Sequence, residues 1–176
     1  TNNASIITGN TIKNITSANG TGFGIAVYAP SQNHTLSQNS IYNLKNTNVT
    51  DATSITGIYF QSSAGTNLVA GNFIHNNIIS NNNGVLTGIQ TVGGTATYQN
   101  NMISLGTDTS GNSVTPGALI RGIYETSGGT NNFYFNTVYI GGRPSTGSNN
   151  TFAFISDIVN NTRNFRNNIF LNGRSN

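Results

Sequence analysis

The side chains that could carry acid–base or metal chemistry are few, because the chain has four acids: Asp51, Asp108, Glu125 and Asp157. Hydrolysis of a glycosidic bond uses two carboxyl groups that flank the bond, and calcium is bound by several carboxylate and carbonyl oxygens. Asp51 and Asp108 lie in separate polar segments, far apart in the chain. The sequence therefore lacks the carboxylate cluster that either chemistry requires.

Glu125 and Asp157 are the two acids that could approach each other, because they occupy similar positions in neighbouring sequence repeats. Counted from the glycine of its repeat, Gly122, Glu125 is at the third position, and Asp157 is at the fourth position after Ala153, which replaces that glycine. In a strand, these positions point to opposite faces unless a β-bulge intervenes. We therefore predict no catalytic residues, and we interpret Glu125 as structural, either near Arg121 or at a strand end.

His34 and His75 occupy unrelated positions and do not have the spacing of a metal site. The chain has no cysteine, which excludes disulfides and thiolate metal ligands. The glycine-rich stretches lack the strand–loop–helix context of a phosphate-binding loop. We therefore predict no metal and no cofactor, and we expect both histidines to be solvated or to lie at corners.

Tyrosine and glutamine side chains are the better candidates for ligand contacts. Alternation along short β-strands places Tyr59, Gln61, Gln90 and Tyr124 on an outward face. A tyrosine ring has an apolar body and a polar tip, and amides hydrogen-bond hydroxyls, so such a face could bind a glycan. Exposed tyrosines are also common on β-surfaces without any function.

These residues are positioned by a sequence repeat of about 31 residues. One marker of the repeat is an asparagine followed two residues later by isoleucine or valine, at Asn10, Asn39, Asn72, Asn101, Asn136 and Asn167. The second marker is a glycine followed by an isoleucine, at Gly24, Gly57, Gly88 and Gly122, with Ala153-Phe154 as a degenerate copy. Repeats of this length are typical of solenoids, in which each unit buries its apolar face against the next.

The segments between the markers predict strands, because they are short, rich in β-branched and aromatic residues, and bounded by Gly, Ser, Thr and Asn. We predict an all-β fold: a right-handed parallel β-helix of about five coils, with three short strands per coil. Residues 1–176 are expected to form a single domain, as a segment of a longer solenoid. From glycine to asparagine the spacing is 13 to 15 residues, whereas from asparagine to glycine it is 14 to 21, so the insertions gather in one half of each coil.

The repeating asparagines are predicted to lie at tight corners and to adopt positive φ, which asparagine tolerates better than most residues. Stacked at the strand spacing of about 4.8 Å, their amides would hydrogen-bond from coil to coil. We expect this structural ladder to stabilise the fold rather than to bind a ligand.

With these columns identified, the chain resembles the pectate-lyase-like parallel β-helix proteins. More narrowly, it resembles the Asn-rich β-helix repeats of large bacterial secreted surface proteins. The segments that carry the resemblance are 133–142 (FYFNTVYIGG) and 164–176 (NFRNNIFLNGRSN). The resemblance implies a secreted or cell-surface location, with the export signal outside this segment. It carries little information about function, because this fold supports lyases, hydrolases, adhesins and phage spikes.

The composition of the chain limits the kinds of partner that it is expected to bind. Charged residues make up 6% of the chain against roughly 25% in ordinary proteins, and no apolar stretch is long enough to span a membrane. Seven dispersed basic residues do not form a nucleic-acid footprint. The densest basic group, Arg163, Arg166 and Arg174, fits either solvated cations or contact with an anionic polysaccharide. The threonines do not form the two regular columns of an ice-binding face.

The sequence thus favours a non-catalytic structural or adhesive segment of an extracellular surface protein or filament. Expected partners are a polysaccharide or a host or cell surface, together with other copies of the chain, end to end. The alternative is a module that binds or degrades polysaccharides. The shortage of acids argues against degradation and leaves binding open.

Overall fold

The computed structural model describes residues 4–28, 32–63, 65–108, 110–113 and 116–175. Within these ranges the chain forms twenty β-strands and no helix. None of the described segments is therefore a long apolar helix of the kind that crosses a bilayer.

The strands follow one another coil by coil. The first coil contains β1 (Ile6–Thr8), β2 (Thr11–Lys13), β3 (Thr16–Ser17) and β4 (Thr21–Tyr28). The second contains β5 (Thr35–Ser37), β6 (Ser40–Tyr42), β7 (Lys45–Asn46) and β8 (Ser54–Gln61). The third contains β9 (Asn67–Ala70), β10 (Phe73–His75), β11 (Ile78–Ile79) and β12 (Val85–Val92).

The later coils have three strands each. The fourth contains β13 (Ala96–Gln99), β14 (Met102–Leu105) and β15 (Leu119–Ser127). The fifth contains β16 (Asn131–Tyr134), β17 (Thr137–Ile140) and β18 (Thr151–Ser156). A last, partial coil contains β19 (Arg163–Arg166) and β20 (Ile169–Asn172).

Equivalent strands of successive coils pair in parallel and form four sheets. Sheet A is β1-β5-β9-β13-β16-β19, sheet B is β2-β6-β10-β14-β17-β20, sheet C is β3-β7-β11, and sheet D is β4-β8-β12-β15-β18. This arrangement confirms the predicted parallel β-solenoid of about five coils. The structure differs from the predicted three strands per coil in the first three coils, where a fourth strand of two residues forms sheet C.

Like residues stack on like residues in the core, because parallel in-register pairing brings equivalent positions of neighbouring coils together. The column after the repeating glycine is Ile25, Ile58, Ile89, Ile123 and Phe154. In sheet A, a second column is Ile7, Leu36, Val69, Tyr98, Phe133 and Phe165. Eight of these eleven side chains are buried and fill the interior between the sheets, whereas Ile7 and Phe154 are partly buried and Phe165 in the last coil is exposed.

The repeating glycine shifts the alternation of sheet D by one residue. Ile55 and Ile58 in β8 are both buried, and the backbone of Gly57 lies against the core between them. A Cβ at Gly57 would lie 2.6 Å from Ile74 Cγ2 and 2.7 Å from the carbonyl oxygen of Gly88. Only glycine fits this close approach, and the residue before it therefore faces outward instead of inward.

A continuous column of asparagines runs along the inside of the corner between sheets A and B. In this column, the Nδ2 of each asparagine donates to the Oδ1 of the asparagine in the next coil at 2.9–3.0 Å, from Asn10 to Asn39, Asn72, Asn101 and Asn136. The backbone N–H of each donor residue reaches the same Oδ1 at 3.1 Å. From Asn39 onward, Nδ2 also donates to a backbone carbonyl of the preceding coil.

Two expectations for this corner are wrong. The last rung is Asn168 and not Asn167, because Asn136 donates to Asn168 Oδ1 at 3.0 Å, while Phe170 pairs beside Val138. Phe170 therefore takes the core position next to Val138, and Ile169 lies outside the core and is 62% exposed. Positive φ belongs to the residue before each ladder asparagine, namely Gly9, Gln38, Gly71, Asn100, Phe135 and Asn167. The ladder amides point inward because the preceding residue makes the turn.

Candidate functional site

The four residues predicted to bind a glycan lie on the outward side of sheet D, in two columns. Tyr59, Gln90 and Tyr124 are direct neighbours in successive coils and form one column. Gln61 lies two residues further along its strand, beside Tyr28 of the first coil. The side chain of Gln61 is exposed, whereas the other three are partly buried.

An open groove of about 330 Å³ crosses this side of sheet D. Tyr59 and Gln90 line it, but Gln61 and Tyr124 do not. The remaining lining is a set of hydroxyls, one ring, one aliphatic side chain and one guanidinium, from Thr21, Ser54, Thr56, Thr87, Phe23, Val85 and Arg121. The groove therefore combines apolar surface with several hydrogen-bonding groups, as ligand sites do.

Aromatic rings form one end of the groove. Tyr59 stacks on Tyr28 with ring centroids 4.5 Å apart, and its edge meets Phe23 at 5.5 Å. Burial and the neighbouring Tyr28 hydroxyl raise the pKa of Tyr59, so its hydroxyl stays protonated at neutral pH. The phenol makes one long hydrogen bond, donating to Gln61 Oε1 at 3.5 Å, and its oxygen can accept a hydrogen bond at the groove wall.

Tyr124 has a different role from the one expected. The guanidinium of Arg121 lies over its ring at 3.9 Å, which covers one face of the ring. The Tyr124 hydroxyl donates to Asp157 Oδ2 at 2.5 Å. Burial raises the pKa of this tyrosine, and the hydrogen bond to Asp157 raises it further. Tyr124 thus supports Arg121 instead of offering a free ring to a sugar.

Four groove residues, Phe23, Thr56, Thr87 and Arg121, were not predicted as ligand contacts. They immediately precede the repeating glycines and form a column of their own across β4, β8, β12 and β15. Strict alternation counted from the following isoleucine places them inward. The sequence did contain a signal for this outward direction. A glycine recurs at the same position of each strand, and glycine within a strand often marks a break in the alternation.

Glu125 and Asp157 have separate surroundings and different partners. Glu125 is fully buried, and its carboxylate accepts hydrogen bonds from Asn131 at 2.8 Å, Asn161 at 2.9 Å and Ser156 at 2.7 Å. Its ion-pair partner is Arg163, where Arg121 had been one of the expected neighbours. Asp157 is exposed and binds the Tyr124 hydroxyl on the outward side.

The other two acids belong to loops that they help to close. Asp108 accepts hydrogen bonds from the backbone N–H groups of Ser110 and Asn112, and the contacts with Asn112 are the main cause of its lowered pKa. Asp51 accepts from Asn48 Nδ2 at 3.0 Å. No group of three or more potential metal ligands occurs among the described residues.

The two histidines are not equivalent. His34 lies at a corner, in the connection that precedes β5, but it is buried and not solvated, and its Nδ1 accepts a hydrogen bond from the Ser5 backbone N–H. His75 lies on the outward side of sheet B between the rings of Tyr42, at 4.8 Å, and Phe73, at 4.0 Å. Burial lowers the pKa of His75, which keeps it neutral at pH 7.

The basic residues near the C-terminus do not act as one cluster. Arg163 forms an ion pair with Glu125, and its Nη2 also donates to Ser156 Oγ at 2.6 Å. Arg174 donates to the backbone oxygen of Pro116 at 2.8 Å. Arg166 is exposed and lies 5.6 Å from the ring of Tyr134. The three guanidiniums therefore have separate local partners.

Comparison with protein-family models, curated proteins and solved structures finds no match to this chain. The geometry of the groove on sheet D carries the functional interpretation.

Proposed function

We propose that this chain is a non-catalytic, adhesive β-solenoid segment of a bacterial extracellular surface protein, and that its groove on sheet D contacts a saccharide. The extracellular location follows from the sequence resemblance to secreted surface repeats. The polar, weakly charged composition and the absence of cysteine fit such a location.

The scaffold supports a mechanical role. Each coil is joined to the next by backbone ladders in three or four sheets and by the buried asparagine column. Every bond in these ladders runs along the solenoid axis, so the coils are tied together in that direction. Such a rod holds its outward side chains at fixed spacing, which suits a surface that must present contacts.

The observation that carries the binding proposal is the composition of the groove. Tyr59 provides a ring and a phenol, Gln90 an amide, and Thr56 and Thr87 provide hydroxyls, all within one groove of about 330 Å³. Ligand sites generally have volumes of about 300–1,000 Å³, so this groove fits a short saccharide unit. Sugar hydroxyls are donors and acceptors, and these side chains match both functions.

We expect the purified chain to bind a member of a glycan array, and the double variant Tyr59→Ala/Gln90→Ala to lose that binding. These side chains lie next to each other in the groove, so their removal eliminates one ring and one amide. The double variant Tyr139→Ala/Gln99→Ala is the matched control, because it removes the same residue types from sheets B and A. Circular dichroism verifies that both variants keep the β-solenoid.

Binding that survives Tyr59→Ala/Gln90→Ala, or that is lost equally in the control, would contradict the assignment of the groove. The bound glycan should also remain intact, because the acids are dispersed. Release of reducing ends or unsaturated products, lost in Asp157→Asn, would instead support the alternative function of polysaccharide degradation.

The exposed end of the last coil supports self-association of the isolated chain. Phe154, Phe165 and Phe170 surround an open cavity of about 490 Å³ there. The hydrogen bonds of the asparagine column all point the same way, because each Nδ2 donates to the asparagine of the following coil. The column therefore ends on the backbone N–H and the Nδ2 of Asn168 at one end and on the Oδ1 of Asn10 at the other. In a longer chain, the next coil would cover the same surface.

We expect residues 1–176 by themselves to associate head to tail, and sedimentation velocity should show larger species as concentration rises. Phe170→Glu should suppress this association, because it places a charge in the contact between ends. Leu171→Glu is the control, since Leu171 belongs to the outward side of β20. A monomer that persists at high concentration, without fibres in electron micrographs, would contradict the proposal.

A further inference from the structure

Arg121 is a cation without a charged partner. Three arginines of the described chain are partly buried: Arg121, Arg163 and Arg174. Arg163 forms an ion pair with Glu125, and Arg174 donates to a backbone oxygen. The guanidinium of Arg121 donates to no other described residue, and its Nε is buried without a hydrogen-bond partner. Its guanidinium makes a cation–π contact with the ring of Tyr124.

This arrangement leaves the accessible end of the guanidinium to water or to a ligand. Partial burial removes water from a charged group, and a cation–π contact offsets only part of that cost. Arg163 meets a carboxylate, and Arg174 meets a backbone oxygen although its Nε and Nη1 are also buried without a partner. Arg121 differs because it lines an open groove, where a ligand can reach the terminal nitrogens of its guanidinium.

Tyr124 and Asp157 hold Arg121 in place without neutralising it. The ring of Tyr124 lies under the guanidinium at 3.9 Å, and the Tyr124 hydroxyl is fixed by Asp157 at 2.5 Å. Asp157 belongs to this assembly through the Tyr124 hydroxyl, but it makes no direct ion pair with Arg121. The buried Glu125 is neutralised by Arg163 inside the core. Among the described residues, the guanidinium of Arg121 therefore has no ion-pair partner.

The register relates this charge to the hydroxyls of the groove. Arg121 lies directly beside Thr87 in the neighbouring coil, and Thr87 lies beside Thr56 in the coil before that. At a coil spacing of about 4.8 Å, the row from Thr56 to Arg121 is about 10 Å long. A ligand along this row would meet hydroxyls first and the guanidinium at one end.

We propose that Arg121 makes the groove selective for an acidic saccharide, in which a uronic acid carboxylate binds the guanidinium. The planar fork of arginine matches a carboxylate with two parallel hydrogen bonds, which a sugar hydroxyl cannot provide. Thr87 and Thr56 are almost fully buried in the groove lining, so they offer the sugar only the edge of their hydroxyls, and Tyr59 contacts its ring at the other end. This inference rests on the proposed saccharide-binding function and specifies its ligand.

The test compares a panel of uronic acid oligosaccharides with their carboxyl-reduced forms, which keep the same backbone and lose the charge. Isothermal titration should show at least about tenfold tighter binding of the acidic member of one pair, and added salt should weaken this preference. Arg121→Gln should abolish the preference. Arg121→Lys should restore part of it, since the charge returns without the fork. Arg143→Gln removes an exposed arginine elsewhere and should leave the preference unchanged.

The outcomes separate this inference from the proposed function. Equal binding of acidic and reduced forms, or a preference that survives Arg121→Gln, overturns the role of Arg121 and leaves saccharide binding intact. Failure to bind any member of the panel or of the glycan array contradicts both proposals. Unchanged melting temperatures in the Arg121 variants show that lost selectivity does not result from unfolding.

Discussion

Replacing Arg163 with methionine is expected to lower the free energy of unfolding by about 3–5 kcal/mol, the usual cost of breaking a buried ion pair. Glu125 is fully buried, and Arg163 is the cation that neutralises its carboxylate. Asn131, Asn161 and Ser156 still donate hydrogen bonds to the carboxylate, but they carry no charge. Chemical denaturation followed by circular dichroism at neutral pH measures the loss.

Two further variants make this prediction specific. Adding Glu125→Gln to Arg163→Met should recover much of the stability, because the buried position then holds a neutral group. Arg166→Met should cost less than about 1 kcal/mol, since Arg166 is exposed and only meets the ring of Tyr134 at 5.6 Å. Equal losses in Arg163→Met and Arg166→Met would show that the buried ion pair does not stabilise the last coils.

Replacing Asn101 with alanine should lower the free energy of unfolding by at least about 3 kcal/mol, because each buried polar group left unsatisfied costs about 1–3 kcal/mol. The Oδ1 of Asn101 accepts both the backbone N–H and the Nδ2 of Asn72. Its Nδ2 donates to the Val69 carbonyl at 2.9 Å and to Asn136 Oδ1 at 3.0 Å. Alanine leaves several of these partners without a hydrogen bond inside the corner.

Asn132→Ala is the matched control, since Asn132 lies on the outward side of sheet A, where its Nδ2 donates to Thr97 Oγ1 at 3.3 Å and its Oδ1 accepts from Asn164 Nδ2 at 2.7 Å. That variant should lose less than about 1 kcal/mol, because water replaces both bonds. Thermal and denaturant unfolding of both variants provide the comparison. A melting temperature for Asn101→Ala as high as that of Asn132→Ala would mean that the asparagine column does not stabilise the solenoid.

The architecture was predictable from the sequence because a parallel solenoid stacks equivalent residues. Its core columns must repeat in the chain, and Ile58, Ile89 and Ile123 accordingly recur after a glycine. The asparagine spacing marked the coils for the same reason. Two-residue strands of sheet C such as Lys45–Asn46 are too brief to show alternation, and their signal was instead the asparagine that recurs before them at Asn14, Asn43 and Asn76, each at positive φ.

The position of the last ladder rung was decided by packing. The sequence Arg166-Asn167-Asn168 offers two asparagines, and local preferences do not distinguish them. The structure places Asn167 at positive φ and Asn168 against Asn136, which brings Phe170 into the column of Val138. The choice therefore depends on the coil before it, and no short pattern contains that information.

By itself, the sequence determined the coil repeat, the apolar columns and the dispersal of the acids, since each depends on residue type and spacing along one chain. The groove and its charge were decided by the tertiary structure. The close approach of Gly57 to Ile74 and Gly88 shifts the alternation and turns Thr56, Thr87 and Arg121 outward. Glu125 meets Arg163 across 38 residues because consecutive coils lie side by side. Both results depend on contacts between coils, which spacing within one strand does not encode.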